Sequence, residues 1–484
     1  MATIFGLLCL SYGLVAGEPA TPFLPVPSAR QLAWHATEFY GLIHFGLNTF
    51  TNEEWGNGEV NPSVFNPTEF DADKVVSIMA SAGMRGIILV CKHHDGFCLW
   101  PSKFTEYSVK ASPWRNGHGD MVKEFSDACR KRGLKFGVYL SPWDRNHAEY
   151  GHAPYLPYYR AQLKELLEGY GEVFMAWFDG ANGGSGYYGG AREVRHIDRS
   201  QYYAWPETWK LVRELQPNAT IFSDVGPDVR WVGNEQGIAS EPCWNGFESQ
   251  GLYPGGPVLP HLRRGKRGGT EWVPAECDVS IRPGWFYHAR EDRLVKSAWA
   301  LVDTYYNSVG RGACLDLNVP LDTRGRIADR DAAVLAKMGR ILSATFTNNF
   351  AIHSIATAHV GSDADPAIRQ AALTDGNPAT FWLAPEGRTT ADLVIEMEKP
   401  VTLDVVEIRE FLPLGQRIGA FAIDAWQDQS WKELTSGKSI GNRRLARVAR
   451  TETQKVRLRI TEAAAPPAIS ELGLYLTPSP AVIR

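Results

Sequence analysis

The sequence contains no run of about 18 or more apolar residues, so it predicts no membrane-spanning helix. Its seven cysteines, at positions 9, 91, 98, 129, 243, 277 and 314, form no CxxC pair and no zinc-type spacing. We therefore expect most of them to be buried apolar thiols rather than parts of a disulfide framework. The formal net charge is only −4, so no basic excess favours nucleic acid as a partner. Internal repeats and low-complexity segments are also absent from the sequence.

The chain length and the first residues indicate the domain organisation. At 484 residues the chain exceeds the size at which a single hydrophobic core stops growing, so we expect two domains. Residues 1–20 hold an apolar stretch that ends in small residues near Ala16 and Gly17. This is typical of a secretory signal, although the positive n-region is missing, and an ordinary disordered start is the alternative. We predict a signal peptide over 1–20, domains over 21–345 and 346–484, and a secreted or periplasmic location.

Strand-like and helix-like segments alternate through the first domain, after a proline-rich linker at residues 21–30. Strands are predicted at 40–50, 86–92, 134–141, 173–178, 220–224, 272–281 and 314–319. Helices are predicted at 71–84, 119–132, 156–170, 208–215, 293–307 and 329–344. Such alternation indicates repeated βα units and a parallel sheet. A right-handed series that closes on itself gives a (β/α) TIM-like barrel, which is the fold that we predict.

From about residue 346 the pattern changes to short runs in which apolar and polar residues alternate, such as ADLVIEME and QKVRLRIT. Turn residues separate these runs, and no helix of any length intervenes. This predicts an antiparallel β-sandwich of ordinary domain size. Its aromatics Trp382 and Trp426 could form a binding face, but we favour packing in the core for both.

The apolar run at 173–178 ends abruptly at Asp179, and a loop rich in Gly and Asn follows. A continuous apolar run is typical of a strand that is covered on both faces, as in a parallel barrel. Such barrels place their chemistry at the C-terminal ends of the strands, so Asp179 is a candidate catalytic residue. The structural alternative is an Asp that opens a turn before Gly180.

Other side chains with useful chemistry also fall at predicted strand ends: His44, Glu54, Trp55, His93, His94 and Trp143. A single His on an apolar strand is more often a hydrogen-bonded core residue than a binding residue. Four successive strand ends that carry such residues are harder to explain by packing alone. Imidazole and carboxylate groups bind sugar hydroxyls, and indole rings stack on the apolar side of a sugar, so the cluster favours a carbohydrate site.

The segments HFGLNTF, EWGNG, CKHHDGF, WFDGANG and GPDVRWVGNE, in this order, resemble those of the α-L-fucosidases of glycoside hydrolase family 29. The resemblance spans about residues 30–345 and implies that Asp179 is the catalytic nucleophile. It implies that fucose is bound by His44, Glu54, Trp55, His93 and His94, with Trp285 as an aromatic wall near the C6 methyl group. To these substrate-binding candidates we add Trp143 and Trp177.

Two finer expectations come from the same resemblance. The form of the GPDVRWVGNE segment is similar to that of the subfamily acting on fucose α-1,3- or α-1,4-linked in branched, Lewis-type glycans. The tail resembles a discoidin-like carbohydrate-binding domain, with TDGNPATFW as its most typical stretch. The expected partners are therefore fucosylated oligosaccharides or glycoconjugates.

A retaining glycosidase needs two carboxyl groups about 5–5.5 Å apart, one that attacks and one that serves as acid and then as base. We predict that Glu235 is the acid/base, because its loop between glycines can carry a long side chain over the site and the resemblance extends to this residue. The competing carboxylates are Asp224, Asp228 and Glu241. The two carboxylates carry the whole mechanism, so we expect no metal and no other cofactor.

Three alternatives remain open at this point. His93, His94 and Asp95 could suggest a metal-dependent barrel hydrolase, but adjacent residues of a strand point to opposite faces and cannot easily bind one ion unless the strand has ended. An α-L-fucosidase of broad linkage specificity is the second alternative. A non-catalytic protein that binds fucosylated glycans is the third, although both candidate carboxylates are present.

Overall fold

The computed structural model describes residues 20–183, 185–360, 363–364 and 370–479. The signal peptide predicted over 1–20 therefore lies outside the described residues, apart from Ala20. The six cysteines within the described ranges are all buried and free, as predicted for apolar thiols. No helix among these residues is long and apolar enough to cross a membrane.

Eight parallel strands form the barrel of the first domain within the part of the chain that the structure describes. These strands, β1 to β8 in chain order, are Phe39–Ile43, Gly86–Lys92, Lys135–Leu140, Met175–Trp177, Thr220–Phe222, Arg230–Trp231, Ala275–Ser280 and Cys314–Asn318. Strands β1 to β5 pair in succession, as do β6 to β8, and β8 pairs with β1. One parallel bridge between Phe222 and Val229 links β5 to the start of β6, so the barrel is nearly closed. The predicted TIM-like barrel is confirmed.

Helices cover the outside of the barrel and follow most of its strands. The helices α1 to α9 are Ala29–His35, Leu47–Thr51, Ala72–Ser81, Met121–Arg132, Tyr155–Gly169, Trp205–Leu215, Pro260–Arg264, Ala298–Ser308 and Asp329–Phe346. Side chains that accept main-chain hydrogen bonds start several of them, such as Asp71 before α3 and Asp120 before α4. Their apolar faces and the outward side of the strands share one large core.

Two segments near the N-terminus differ from the sequence prediction. The strand predicted at 40–50 ends at Ile43, and α2 begins four residues later. Phe45, two residues before that helix, and Leu47, its first residue, are both buried, so the apolar run is the same for a strand and for a short buried helix. The predicted linker ends in α1, which Ser28 starts by accepting a hydrogen bond from the Gln31 amide.

The strand predicted at 272–281 is two strands. Pro274 has no amide hydrogen for a sheet ladder, so the segment Glu271–Trp272 pairs with Gly246–Phe247 and β7 starts afresh at Ala275. Strand β6 escaped prediction, because two residues are too few to show a hydrophobic period. An antiparallel hairpin, Gly186–Tyr188 with Glu193–Arg195, was also unpredicted and follows the loop after β4.

The second domain is an antiparallel sheet of eight strands, within the described ranges, around its own core. Strands β9 to β16 are Ile355–Val360, Asp363–Ala364, Trp382–Leu383, Ala391–Glu410, Ile418–Gln427, Ser430–Lys438, Arg444–Ala463 and Ala468–Tyr475. The long strands β12 and β15 pair along most of their length. Trp382 is fully buried in this core, as predicted, but Trp426 is 38% exposed, so its assignment to the core was wrong.

A buried ion network joins the two domains. Glu38, just before β1, binds Arg409 at 2.8 Å and Arg443 at 3.0 Å, and Glu407 binds the same two guanidinium groups. Burial on its own would raise the pKa of Glu38, but Arg409, Arg443 and Arg85 lower it to about 2. The barrel and the sheet domain are therefore packed through paired charges as well as apolar contacts.

Candidate active site

The C-terminal ends of the barrel strands surround a cavity of about 290 Å³, with room for roughly ten water molecules. The residues that line it are Leu42, His44, Glu54, Trp55, His93, His94, Tyr139, Trp177, Asp179, Ala181, Glu235, Asp278 and Trp285. Nine of the ten predicted site residues belong to this set. The exception is Trp143, whose ring packs 4.9 Å from His94 and 5.5 Å from Trp55, so it supports the wall instead of facing the cavity.

Asp179 lies two residues after the end of β4, and its two carboxylate oxygens make different contacts. Its Oδ1 accepts a hydrogen bond from the Ala181 amide at 2.7 Å, which is the turn predicted as the structural alternative. Its Oδ2 accepts from the Tyr139 hydroxyl at 2.6 Å inside the cavity. Burial raises the pKa of Asp179 to about 6, with a further rise from the Glu235 charge, while the two hydrogen bonds hold it down. The side chain is thus still ionised at neutral pH.

Stacked aromatic rings form the floor of the cavity. Trp177 stacks on Tyr139, with ring centroids 5.0 Å apart, and on Phe222, with centroids 4.3 Å apart. The Trp177 indole N–H donates to Glu276 Oε1 at 2.7 Å across the barrel lumen. The rings close the lumen beneath the cavity, so a ligand can enter and leave only at the open ends of the strands.

The hydrogen-bond network fixes the tautomer of His94. Ser141 donates its hydroxyl proton to the Trp143 carbonyl, so it accepts from His94 Nδ1 at 2.7 Å. Burial is the main cause that lowers the pKa of His94 to about 3, so the ring is neutral. Its Nε2, 3.6 Å from Asp179 Oδ2, is therefore a hydrogen-bond acceptor.

His44 has the same tautomer. Asn318 uses its amide hydrogens on Ser280 Oγ and on the Trp285 carbonyl, so its Oδ1 accepts from His44 Nδ1 at 2.9 Å. Burial lowers the pKa of His44 to about 4 despite that hydrogen bond and the Glu54 charge. The free Nε2 of His44 is again an acceptor.

His93 has the opposite polarity. The Asn48 amide nitrogen reaches His93 Nδ1 at 3.4 Å and also donates to the Glu54 carbonyl, while Asn48 Oδ1 accepts from Gly56. His93 Nδ1 is therefore an acceptor and Nε2–H a donor, since burial lowers the pKa of this ring well below its usual value. The three histidines present a fixed set of two acceptors and one donor.

His93 and His94 do not point to opposite faces, because β2 ends at Lys92 and the two side chains leave the ladder, which is the exception that the sequence argument allowed. Both line the cavity, with ring centroids 4.0 Å apart. Asp95 is not among the lining residues, and its carboxylate accepts from the Phe97 amide in the following turn. Asp95 therefore does not join the two histidines in a shared metal site.

Glu54 holds the loop that carries Trp285. Its carboxylate accepts from the Trp285 and Phe286 amides at 3.0 and 3.3 Å and contacts His288 Nε2 at 2.6 Å. The Trp285 indole donates in turn to Glu235 Oε2 at 3.4 Å. Trp55 stands at the mouth, where 55% of its surface is exposed.

Glu235 lies at the exposed rim, on the loop after β6. It is one of the four carboxylates that line the cavity, together with Glu54, Asp179 and Asp278. Two of its competitors are engaged elsewhere. Asp228 is bound by Arg30 and Arg213, and Glu241 is bound by Arg444 in the second domain.

The third competitor, Asp224, is close to Asp179 but does not line the cavity. Its Oδ2 accepts from the Gly255 amide at 2.9 Å and packs against Gly180. Burial raises the pKa of Asp224 to about 7, and the Asp179 charge adds to the rise. Of the four carboxylates weighed from the sequence, Glu235 is the one that reaches the cavity.

Sequence reasoning missed Tyr139, Asp278, His288 and Asn318. Tyr139 and Asp278 lie on strands that were predicted, at positions that face the lumen, so the alternation along β3 and β7 was a usable signal. His288 and Asn318 act on the cavity through other side chains, and no feature of the sequence marks them.

Comparison with known proteins decides the family. The family model for alpha-L-fucosidase matches residues 26–345, and the model for the F5/8 type C domain matches residues 356–472. The chain belongs to the α-L-fucosidase family. It is thereby a glycoside hydrolase, and the predicted resemblance is confirmed for the family and for the discoidin-like tail.

Relatives of this fucosidase cover nearly its whole length. It is 40% identical to alpha-L-fucosidase 1 of Arabidopsis thaliana over 460 residues, which is 94% of this chain and 88% of the relative. A glycoside hydrolase 29 family member from an unknown rumen bacterium has 42% identity and a TM-score of 0.84, covering 95% of this chain and 78% of that one. A Ruminococcus gnavus GH29 fucosidase in complex with fucose has 30% identity and a TM-score of 0.84, covering 96% and 97%.

Proposed function

We propose that this fucosidase is exo-acting and retaining, and that it releases terminal α-1,3- or α-1,4-linked L-fucose from branched, Lewis-type glycans. The observation that carries the proposal is the pair of carboxylates in one blind cavity, Asp179 inside and Glu235 at the rim. A cavity of about 290 Å³ that is closed beneath by Trp177 admits one terminal sugar and leaves the remaining glycan outside. This supports exo rather than endo action.

In the first step Asp179 attacks the anomeric carbon, the glycosidic C–O bond breaks, and Glu235 gives its proton to the departing oxygen. In the second step Glu235 takes a proton from water, the water oxygen attacks the anomeric carbon, and the ester bond to Asp179 breaks. In each step the new bond forms on the face of the sugar opposite to the bond that breaks, which inverts the anomeric carbon. Two inversions retain the α configuration overall. Tyr139 and the Ala181 amide hold the attacking carboxylate in place between the steps.

The polar wall of the cavity is suited to a neutral sugar. Sugar hydroxyls both donate and accept, so they can satisfy the acceptor nitrogens of His44 and His94 and the donor nitrogen of His93 together. All three rings are neutral, so no charge is left without a partner when a neutral sugar displaces water. The Trp285 ring, whose centroid lies 5.3 Å from that of His44, offers an apolar surface for the methyl group of fucose.

The linkage is the finer part of the proposal, and it rests on the GPDVRWVGNE segment that ends at Glu235. A fucosidase of broad specificity is the second candidate, which the rim would suit, since Trp55 is 55% exposed there. A glycan-binding protein without turnover is disfavoured by the two carboxylates in the cavity. We also propose that the enzyme is secreted or periplasmic, on the apolar N-terminal stretch of its sequence.

The test is product analysis with an aryl α-L-fucoside, a Lewis-type trisaccharide and an α-1,2-fucosylated trisaccharide. We expect fucose from the Lewis-type substrate at a rate well above that from the α-1,2 isomer, and the first-formed fucose should be the α anomer by NMR. Equal rates would favour the broad-specificity enzyme. First release of β-fucose would overturn the retaining mechanism, and binding without release would leave only a glycan-binding function.

A further inference from the structure

Asp278 takes no part in the two steps of the proposed mechanism, although it lines the cavity from β7. Its Oδ1 accepts a hydrogen bond from the Trp231 indole at 2.7 Å. No hydrogen bond from another residue of the described chain reaches its Oδ2. The residue is 5% exposed, so its carboxyl meets the cavity and little else.

The groups around Asp278 are acidic or neutral on every side. Glu276 lies two residues earlier on the same face of β7, and Asp316 of β8 is the register partner of Asp278. Glu235 approaches from the loop after β6. Leu42 of β1 and the neutral ring of His44, just after β1, lie on another side. None of the ion pairs within the described ranges involves Glu235, Glu276, Asp278 or Asp316. On β6, Arg230 is turned away and donates to three main-chain carbonyls.

Buried carboxyls in this arrangement cannot all be ionised, and their hydrogen bonds indicate which ones keep a proton. Glu276 receives two donors, the Tyr40 hydroxyl and the Trp177 indole, so it is the best solvated as an anion. Asp278 receives one from another residue, besides a hydrogen bond from its own amide, and neither oxygen of the fully buried Asp316 has a partner. Burial raises the pKa of all three carboxyls, to about 7 for Glu276 and well above the usual value for the two aspartates. Of these two acids, Asp278 alone faces the cavity.

We propose that Asp278 is a substrate-binding residue that acts as a neutral acid, donating the O–H of its carboxyl group to an oxygen of the bound fucose. Trp231 fixes Oδ1 as the acceptor end of the carboxyl, so the proton is carried by Oδ2. The inference rests on the proposed function, because it names one more contact in the same site.

The contact fills a need in the wall of the cavity. His44 and His94 both accept through Nε2, and the Asp179 carboxylate accepts as well, so the wall is rich in acceptors. Fucose also has oxygen lone pairs to satisfy, and an unpaired oxygen in a closed cavity costs free energy. A protonated Asp278 supplies a second hydrogen-bond donor beside His93 and adds no further negative charge to the cavity.

The matched pair of variants is Asp278→Asn and Asp278→Ala. Asparagine keeps an oxygen for the Trp231 indole and presents an N–H to the cavity, so it should reproduce the neutral acid. We expect its inhibition constant for L-fucose, and its KM for an aryl fucoside, to stay within about threefold of wild type. Alanine removes the donor, which should weaken L-fucose binding roughly 3- to 10-fold for one neutral hydrogen bond. Asp316→Asn is the control, because it makes the same change in a neighbouring acid that does not line the cavity.

The pH dependence gives a second readout that needs no alanine variant. Wild-type affinity for L-fucose should fall at alkaline pH as Asp278 ionises, whereas Asp278→Asn should lose less over the same range. A loss in Asp278→Asn as large as in Asp278→Ala would overturn the proposal, since it would mean that the ionised carboxylate is required. So would wild-type affinity in Asp278→Ala, or identical pH profiles for wild type and Asp278→Asn. A wild-type enzyme that neither binds L-fucose nor cleaves the aryl fucoside would instead refute the proposed function itself.

Discussion

The Tyr139 hydroxyl should control the pH at which the enzyme loses its nucleophile. Asp179 attacks only when it is ionised, so kcat/KM should fall as the pH drops below the pKa of Asp179 in the free enzyme, which is about 6. Tyr139 donates to Asp179 Oδ2 at 2.6 Å, and this bond favours the ionised form. The variant Tyr139→Phe keeps the ring that stacks on Trp177 and removes only that donor.

The size of the effect follows from the kind of hydrogen bond. Hydrogen bonds to a charged group contribute about 1.5–3 kcal/mol, and one pKa unit corresponds to about 1.4 kcal/mol. Loss of the bond favours the neutral carboxyl, so the pKa of Asp179 must rise. The acid limb of the profile should therefore move about 1 to 2 units towards higher pH, and activity at pH 5 should fall more than activity at pH 9.

The assay is kcat/KM for an aryl fucoside measured between pH 4 and pH 9, for wild type and Tyr139→Phe. Tyr159→Phe is a matched control, because its hydroxyl is as buried but donates to the Leu140 carbonyl. It should leave the acid limb where it is. An unchanged limb in Tyr139→Phe would refute the reasoning, since it would show either that Asp179 does not set the limb or that the bond does not favour its ionised form.

Three further predictions concern the carboxylates. Asp179→Asn should lower kcat by several orders of magnitude while the unfolding transition is kept, since only the attacking group is lost; a wild-type kcat would reduce Asp179 to a turn residue. Glu235→Ala should slow natural glycans more than aryl fucosides with good leaving groups, and added azide should restore turnover as α-fucosyl azide. Rescue of Glu241→Ala in its place would reassign the acid/base. Glu38→Gln leaves two buried guanidinium groups short of charge and should destabilise the fold by about 3–5 kcal/mol in urea unfolding. The exposed-pair control Glu69→Gln should leave the unfolding midpoint close to that of wild type, and equal shifts of the midpoint for the two variants would contradict the buried network.

Much of the barrel could be predicted because its strands are buried on both faces. Continuous apolar runs such as those of β2 and β4 mark such strands, and the residue after each run marks the edge where the cavity forms. Asp179 and the two histidines after Lys92 were found in this way. The error at α2 has the same origin, since burial of every residue erases the period that separates a helix from a strand.

The residues that the sequence did not reveal are those whose role depends on a partner far along the chain. Tyr139 matters because its hydroxyl meets Asp179, 40 residues away, and Asp278 because its indole partner is 47 residues away. The alternation along β3 and β7 shows that each residue faces the lumen, but nothing in the local sequence around either one indicates its partner. The same holds for the tautomers of the histidines, which are set by Ser141, Asn318 and Asn48.

The exposure of Trp426 shows how a strand can be predicted while one of its side chains is misplaced. In strand β13 the residues Ile423, Asp424 and Ala425 are all buried, so the alternation predicted from the sequence does not appear as alternating burial. Trp426 follows them near the end of the strand, where it packs edge-on against Trp431 of β14 with ring centroids 5.2 Å apart. Large aromatics are usually counted as core residues because their burial contributes most to stability. Here Trp426 lies beside the hairpin turn that follows β13, so its ring is left partly exposed although the residues before it are buried.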